Sequence, residues 1–273
     1  MVVETEELEN MRKLIVLSEG FTRRKSAVSS QLATARSKMS ALELKAFYQI
    51  STLIKMDDND LFEYEINMLD FADAMGVARE SRVVQRLCKS LLKQVFEIEH
   101  QDGDWKIYTV FSSFCYNSKT NTLKVSFNSQ MRKFLLELKR FTKIDDIRHI
   151  KAFDSKYTIR FYVLFKDRLN LGFRNFNIED LATMFELPKS YLGTYTNLYE
   201  RVIAPAIREI NAKSDIWVRG PEVVQKNGRR IHRIRFVFGQ KSSAKWRKCG
   251  NCGSVSKVEA QSEAEKLIAQ ISP

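Results

Sequence analysis

The sequence predicts an α+β chain built as two tandem domains related by an internal repeat. Three observations carry this expectation: a helix, short helix, longer helix order that occurs twice, a β-hairpin signal behind each longer helix, and positive charge gathered in the second half. A length of 273 residues suits two domains of ordinary size, each able to bury its own core. Hydrophobic residues at 44% and charged residues at 29% describe a globular chain rather than a disordered one.

The first helix of each copy is read from Ser40-Ala-Leu-Glu-Leu-Lys-Ala-Phe-Tyr48 and Asp154-Ser-Lys-Tyr-Thr-Ile-Arg-Phe-Tyr162. Each opens on a residue suited to N-capping and continues with helical apolar spacing. The short helix follows in Asn67-Met-Leu-Asp-Phe-Ala72 and Asn177-Ile-Glu-Asp-Leu-Ala182, with Asn, Asp and Ala recurring at a constant offset. The longer helix is read from Val83-Val-Gln-Arg86 onwards and from Leu198-Tyr-Glu-Arg201 onwards. Hairpins are expected around Asp102-Gly103, between Phe96–Ile98 and Trp105–Phe111, and around Asn227-Gly228, between Glu222–Lys226 and Arg229–Phe238. The first domain adds a second hairpin, Phe114 to Phe127 around Asn117 to Asn121, and a helix from Ser129 to Leu138. Helix-turn-helix followed by a hairpin is the winged-helix order, so the expected fold class is two tandem winged-helix domains. The expected bounds are an N-terminal segment 1–27, a first domain 28–140, a second domain 141–248 and a tail 249–273.

Charge divides along the same line. Residues 1–140 carry 21 Lys and Arg against 19 Asp and Glu, residues 141–248 carry 22 against 11, and the tail carries 2 against 3. A net charge of +12 concentrated in one domain points to a polyanion partner, and nucleic acid fits better than anionic membrane because no basic amphipathic helix stands apart from the core pattern. No run of about 18 apolar residues occurs, and Glu4, Glu6, Glu7 and Glu9 stand where a signal peptide needs positive charge. Cys88, Cys115, Cys249 and Cys252 are too scattered for a disulfide framework. A reducing cytoplasm is the expected compartment.

Duplex recognition is expected from a helix spanning about Lys189 to Asn211. Leu192, Leu198, Val202, Ala206 and Ile210 form its inward stripe, and Thr194, Asn197, Arg201 and Arg208 share another face. Arg pairs bidentately with guanine, Asn with adenine, and Thr bonds a base edge or touches a thymine methyl. The first half should sit deepest in a major groove, which adds Lys189, Ser190 and Tyr191. Pro205 removes a donor and crowds the carbonyl of Arg201, so a bend is expected there. In the wing, Arg229, Ile231, Arg233, Arg235 and Val237 alternate with Arg230, His232, Ile234, Phe236 and Phe238, giving one basic and one core face. Arg233 and Arg235 should meet phosphates or a minor groove, and Lys226, Arg229 and Arg230 the backbone. In the first domain Ser81, Arg82, Gln85, Arg86, Lys89 and Lys93 lie opposite Val84, Leu87, Leu91 and Val95. Its wing carries Glu97, Glu99, Asp102 and Asp104, which argues against phosphate binding through that element. The domain is left to touch DNA through its helix alone, or to self-associate through its strands and the Phe114-Cys-Tyr116 segment.

No catalytic constellation, and so no cofactor, is expected. The chain has no Walker-type phosphate loop, and His100, His149 and His232 form no His-x-His pair of a nicking enzyme. Asp57-Asp58-Asn59-Asp60 reads as a solvated loop. Cys249-Gly-Asn-Cys252 supplies only two of the four ligands a structural zinc needs, and the tail is expected to be partly disordered, ending in a short helix from Ser256 to Ile271.

Several of these segments resemble the theta-type plasmid replication initiators, the Rep proteins that bind repeated origin sequences called iterons. The resemblance lies in Ser155-Lys-Tyr-Thr-Ile-Arg-Phe-Tyr-Val-Leu164, Ile178-Glu-Asp-Leu181, Tyr199-Glu-Arg-Val-Ile-Ala-Pro-Ala-Ile-Arg-Glu-Ile-Asn211 and Ile234-Arg-Phe-Val-Phe238. Val28–Ser40 with Leu42-Glu43, Val125-Ser-Phe-Asn128, Leu135–Lys139 and Phe141-Thr142 agree more loosely. It spans about residues 28 to 240 and implies two winged-helix domains, with the second gripping the iteron most strongly and the first adding DNA contact or forming a homodimer. It further implies iteron binding as monomers to open an origin, operator binding as dimers to repress synthesis, and host DnaA and the helicase DnaB as partners. Glu200, where relatives are often basic, and the Cys-x-x-Cys tail depart from the pattern. A transcriptional repressor without an origin role is the alternative function, and a DNA nicking enzyme a more distant one.

Overall fold

A computed structural model describes residues 25–241 except 56, 57, 59, 100–103 and 137–140. The chain divides into two compact units, one ending at Lys151 and the other beginning at Ala152. The expected boundary after residue 140 falls too early. Strand β1 (Ser26–Ser29) pairs antiparallel with β7 (Phe141–Ile144), Val28 facing Thr142, so the segment after residue 140 completes the first unit. Such a pairing between distant segments has no local signature.

In the first unit, α1 (Ser30–Thr34) is capped by Ser29, whose hydroxyl accepts from the Leu32 amide. Helix α2 (Ala41–Ser51) opens on a capping box in which Ser40 and Glu43 satisfy each other's backbone amides. Then come β2 (Glu63–Asn67), α3 (Met68–Met75), α4 (Ser81–Leu92), β3 (Val95–Glu99), β4 (Trp105–Thr109), β5 (Phe111–Asn117), β6 (Thr122–Phe127), α5 (Arg132–Leu135), β7 and α6 (Ile147–Ala152). Leu44, Phe47 and Ile50 of α2 pack into a core with Phe71, Leu91 and Phe96, and the Phe47 and Phe96 rings meet edge-on at 5.5 Å.

The second unit runs α7 (Lys156–Asp167), β8 (Phe173–Asn177), α8 (Ile178–Phe185), α9 (Tyr195–Leu198), α10 (Ala204–Lys213), β9 (Ile216–Asn227) and β10 (Arg230–Gln240). Helix α7, capped by Ser155, is buried from Thr158 to Lys166. Its Phe161 and Phe165 meet Phe185 at 4.8 Å and Phe238 at 4.8 Å. A charge inside such a helix needs a partner. Lys166 finds Asp215 at 3.0 Å, and the Arg160 guanidinium lies 5.2 Å from the Phe185 ring.

The internal repeat extends to backbone detail. Asn67 and Asn177 both close a strand and precede the short helix. Both short helices end on a left-handed residue, Gly76 at φ 65° and Glu186 at φ 50°, and the next amide (Val77, Leu187) bonds back to the carbonyl of Ala72 or Ala182. Both sheets have the same order: the strand before the short helix pairs with the second strand of a hairpin, which pairs with the first, giving β2-β6-β5 and β8-β10-β9.

That order reassigns the first wing. The hairpin corresponding to β9-β10 is β5-β6, whereas the acidic β3-β4 hairpin is a separate two-stranded sheet. Two hairpin signals follow α4, and local sequence does not say which one pairs with the distant β2. The expected Asp102-Gly103 turn lies outside the described residues, as do residues 1–24 of the expected N-terminal segment 1–27, Leu138, the Cys249–Cys252 pair and the tail helix; the end of that segment, from Ser26, belongs to β1.

Candidate nucleic-acid interface

The recognition segment of the second unit is not one continuous helix. Lys189–Tyr191 forms a 3-10 turn, Thr194 takes extended backbone angles and caps α9 by accepting from the Asn197 amide at 3.2 Å, and only then does the helix begin. Gly193 and Thr194 favour this break, since Gly weakens a helix and Thr is a good cap. Leu192 therefore drops out of the inward stripe and is 41% exposed, while Leu198, Val202, Ala206 and Ile210 are buried as expected. Lys189 and Ser190 are exposed and Tyr191 is half-buried on the preceding turn.

The bend expected at Pro205 takes the form of a wide turn. Tyr199–Ile203 is π-helical, with the Ala204 amide reaching back to the Tyr199 carbonyl, and Pro205 opens α10. The wide turn relieves the clash a proline makes with the carbonyl four residues earlier. It also keeps a stripe spaced in fours facing inward, because it takes up the drift of roughly 40° per step that a regular helix would accumulate. The same turn shifts later residues by roughly 100°, so Arg208, though exposed, leaves the face that Arg201 presents.

The exposed first half presents Thr194, Thr196, Tyr199, Glu200 and Arg201, with the half-buried Tyr195 and Asn197. Tyr195 and Tyr199 stack at 6.2 Å, and the Tyr195 hydroxyl is pushed up to about 12 by burial and by Tyr199. The Arg201 guanidinium lies 5.4 Å from the Tyr191 ring centroid. The tyrosine pair was missed in the sequence although its i, i+4 spacing on the polar side of the helix signals it.

The second wing has two regions. Near β8, β10 is the central strand: Ile234, Phe236 and Phe238 are buried, and Arg233 and Arg235 stand on the other face. Each arginine donates from Nε to an asparagine of the neighbouring strand, Arg233 to Asn177 at 3.1 Å and Arg235 to Asn175 at 2.9 Å, and Arg235 also lies 5.2 Å from the Phe173 ring. Two arginines are thus fixed in plane beside the start of α8. Beyond Arg233 the hairpin continues as a two-stranded arm. There Lys226, Arg229 and Arg230 are all exposed; Val223, across from Ile234, and Val224 are exposed where the arm begins. The turn residues are Gly228 and Arg229, one position later than expected, with Gly228 at φ 60°, the first central position that a type II′ turn reserves for glycine. Strand β9 is longer than expected because it starts at Ile216, and it is held by Asn211, which bonds both the amide and the carbonyl of Val218.

In the first unit Ser81, Arg82, Gln85, Arg86, Lys89 and Lys93 are all exposed along α4, opposite the buried Val84, Leu87 and Leu91; Val95 belongs to β3. A cleft of about 320 Å³ separates Ser81, Arg82 and Gln85 from Phe114, Tyr116 and Leu123 of the true wing. That wing is not acidic: its tip carries Lys119, and Lys124 pairs with Glu65 at 2.7 Å and Glu63 at 3.2 Å. Glu97, Glu99 and Asp104 sit on the additional hairpin. Cys88 on the inward side of α4 is buried, which pushes its thiol up to about 12.

Among the described residues, no helix is long and apolar enough to cross a membrane and no group of three or more His, Cys, Asp or Glu is placed to hold a metal ion. Residues 25–166 match the family model described as Initiator Replication protein, WH1, and residues 177–238 match Initiator Rep protein, WH2. The chain is 26% identical over 179 residues to a replication initiation protein of Escherichia coli, an alignment covering 61% of this chain and 52% of that protein, so it spans about half of that relative's length. A crystal structure of the Pi initiator protein in complex with iteron DNA superposes with a TM-score of 0.62 at 17% identity, covering 81% of this chain and 99% of that one. The two consecutive matches, on a chain that folds as two winged-helix units with the same sheet order, mean that this protein belongs to the initiator replication protein family.

Proposed function

We propose that this protein initiates plasmid replication by binding the iterons of an origin as duplex DNA, without catalysis of its own, and that the second winged-helix unit supplies most of the grip. The observation that carries this reading is the pairing, on one unit, of an exposed half-helix centred on Arg201 with a wing bearing five basic residues from Lys226 to Arg235. Family membership supports it, as do the replication initiation for which the Escherichia coli relative is named and the iteron DNA bound by the Pi initiator. Arg201, Thr194 and Asn197 read base edges in the major groove, Lys189 and Ser190 hold phosphate before the helix, and Arg233 and Arg235 meet the backbone beside α8. The arm with Lys226, Arg229 and Arg230 follows the duplex. Arg208 contributes charge from beside this face. The exposed row from Ser81 to Lys93 on α4 makes a second, weaker contact. Recruitment of DnaA and DnaB, and self-repression by a homodimer on an operator, complete the proposal.

The full chain should select a consensus from a pool of random duplexes. Arg201→Ala is expected to lower affinity for it by about tenfold and relax one base position, whereas Arg233→Ala weakens all sequences alike and reduces the salt slope by about one. Unchanged affinity of both variants at fixed salt would show the binding surface to be wrong.

A further inference from the structure

The geometry points to Tyr191 as a positioning residue for base readout: its ring holds the Arg201 guanidinium in place and need not touch the DNA. This inference rests on the proposed reading of Arg201 as a base contact and deepens it. An exposed arginine samples many rotamers, and a bidentate bond to guanine requires one plane and one direction. Here the guanidinium carbon lies 5.4 Å from the Tyr191 ring centroid, within cation–π range, and among the described residues nothing takes up its donors. They stay available for a base.

A stacked aromatic pair of the core lies near this ring. Phe185 is buried, and Tyr157 stacks on it at 6.1 Å with the planes 14° apart. Burial raises the Tyr157 hydroxyl above the usual tyrosine range, and the nearby Tyr191 adds to that rise. The stacked pair Phe185 and Tyr157 joins α8 to α7, and Tyr157 comes near Tyr191 on the turn before α9. The π-helical turn at Tyr199–Ile203 contains Arg201, and Tyr191 sits on the 3-10 turn that precedes the helix break. Both local irregularities thus carry one member of the pair. A continuous helix would place residues ten apart on different faces and nearly three turns from each other.

The test uses the full chain and the duplex that the wild-type protein selects from a random pool. Tyr191→Phe should bind as wild type, because the ring face is retained, and Tyr191→Ala should bind about threefold more weakly. Tyr191→Ala combined with Arg201→Ala should bind no more weakly than Arg201→Ala alone. The guanine read by Arg201 is identified as the position relaxed in Arg201→Ala. Replacing it with 7-deazaguanine should weaken wild type and Tyr191→Phe, with a smaller loss in Tyr191→Ala. Equal losses in Tyr191→Phe and Tyr191→Ala, or additive losses in the double variant, overturn the proposal in favour of direct contact by Tyr191. Wild-type affinity in Tyr191→Ala also overturns it. If the wild-type protein selects no consensus, the reading of Arg201 as a base contact fails first, and this inference fails with it.

Discussion

Glu43 does two things with one carboxylate. It closes the capping box of α2 by accepting from the Ser40 amide at 2.7 Å, and it ties α2 to α4 by accepting from the Ser90 hydroxyl and from Gln94 at 2.8 Å. Burial pushes this carboxyl up, but the bonds from Ser90, Ser40 and Gln94 outweigh it and hold the group below the usual glutamate range. A carboxyl depressed in the folded state stabilises fully above its unfolded value of about 4.3 and loses that contribution as pH falls through the lower folded value. Glu43→Gln puts an amide donor among three donors, so it should unfold about 1–2 kcal/mol more easily at pH 7. The gap to wild type should narrow as pH drops from about 5 towards 3, where the native carboxyl also becomes protonated. Urea unfolding of both proteins at several pH values reads this directly, and a gap independent of pH would contradict the assignment.

The second wing shows how a strand divides its labour along its length. Its inner part is fixed against β8 by the Arg233–Asn177 and Arg235–Asn175 bonds, whereas the outer arm is held by pairing between β9 and β10 alone. The register shifts where these regions meet, and Gly220, at φ 102°, lies in the stretch of β9 where a Cβ would come within 2.9 Å of the Arg235 carbonyl oxygen. No other residue fits there without moving the central strand. Replacing Lys226, Arg229 and Arg230 together with Ala should leave the selected consensus unchanged while the slope of log affinity against log salt falls by about two to three. A changed consensus with an unchanged slope would make the arm a base reader rather than a backbone clamp. The alternating pattern of β10 was legible because Ile234, Phe236 and Phe238 repeat every second residue. The tether of its arginines was not, since Asn175 and Asn177 stand far away in sequence and meet them only through sheet pairing.

Across the whole chain, the elements with local signals were readable: capped helices, the second wing's hairpin to within one residue of its turn, period-two strands and the recurrence of Asn, Asp and Ala before each longer helix. Features set by distant partners were not. The domain boundary moved because Phe141–Ile144 pairs with Ser26–Ser29, and the first wing changed identity because Glu63–Asn67 chose Thr122–Phe127. Within the candidate site, Arg201 and the basic wing residues stood out by type and spacing. Leu192 and Arg208 were displaced by a helix break and a wide turn that apolar periodicity conceals, and the tyrosine pair was overlooked despite its spacing. The reassigned wing also softens the contrast between the two units, since both carry a helix face and a non-acidic wing around comparable sheets. The proposed division of work then rests on the charge of the second half and on its tethered arginines.

Replication itself gives the most direct test. The gene, placed with its flanking DNA on a plasmid lacking any other origin, should allow maintenance in its source host. A folded variant carrying Arg201→Ala and Arg233→Ala should not. Direct repeats of roughly 20 base pairs, about two helical turns, should lie in that flanking DNA and be protected by the wild-type protein. Sequence-specific binding without any plasmid maintenance would contradict the account and leave a winged-helix repressor in its place.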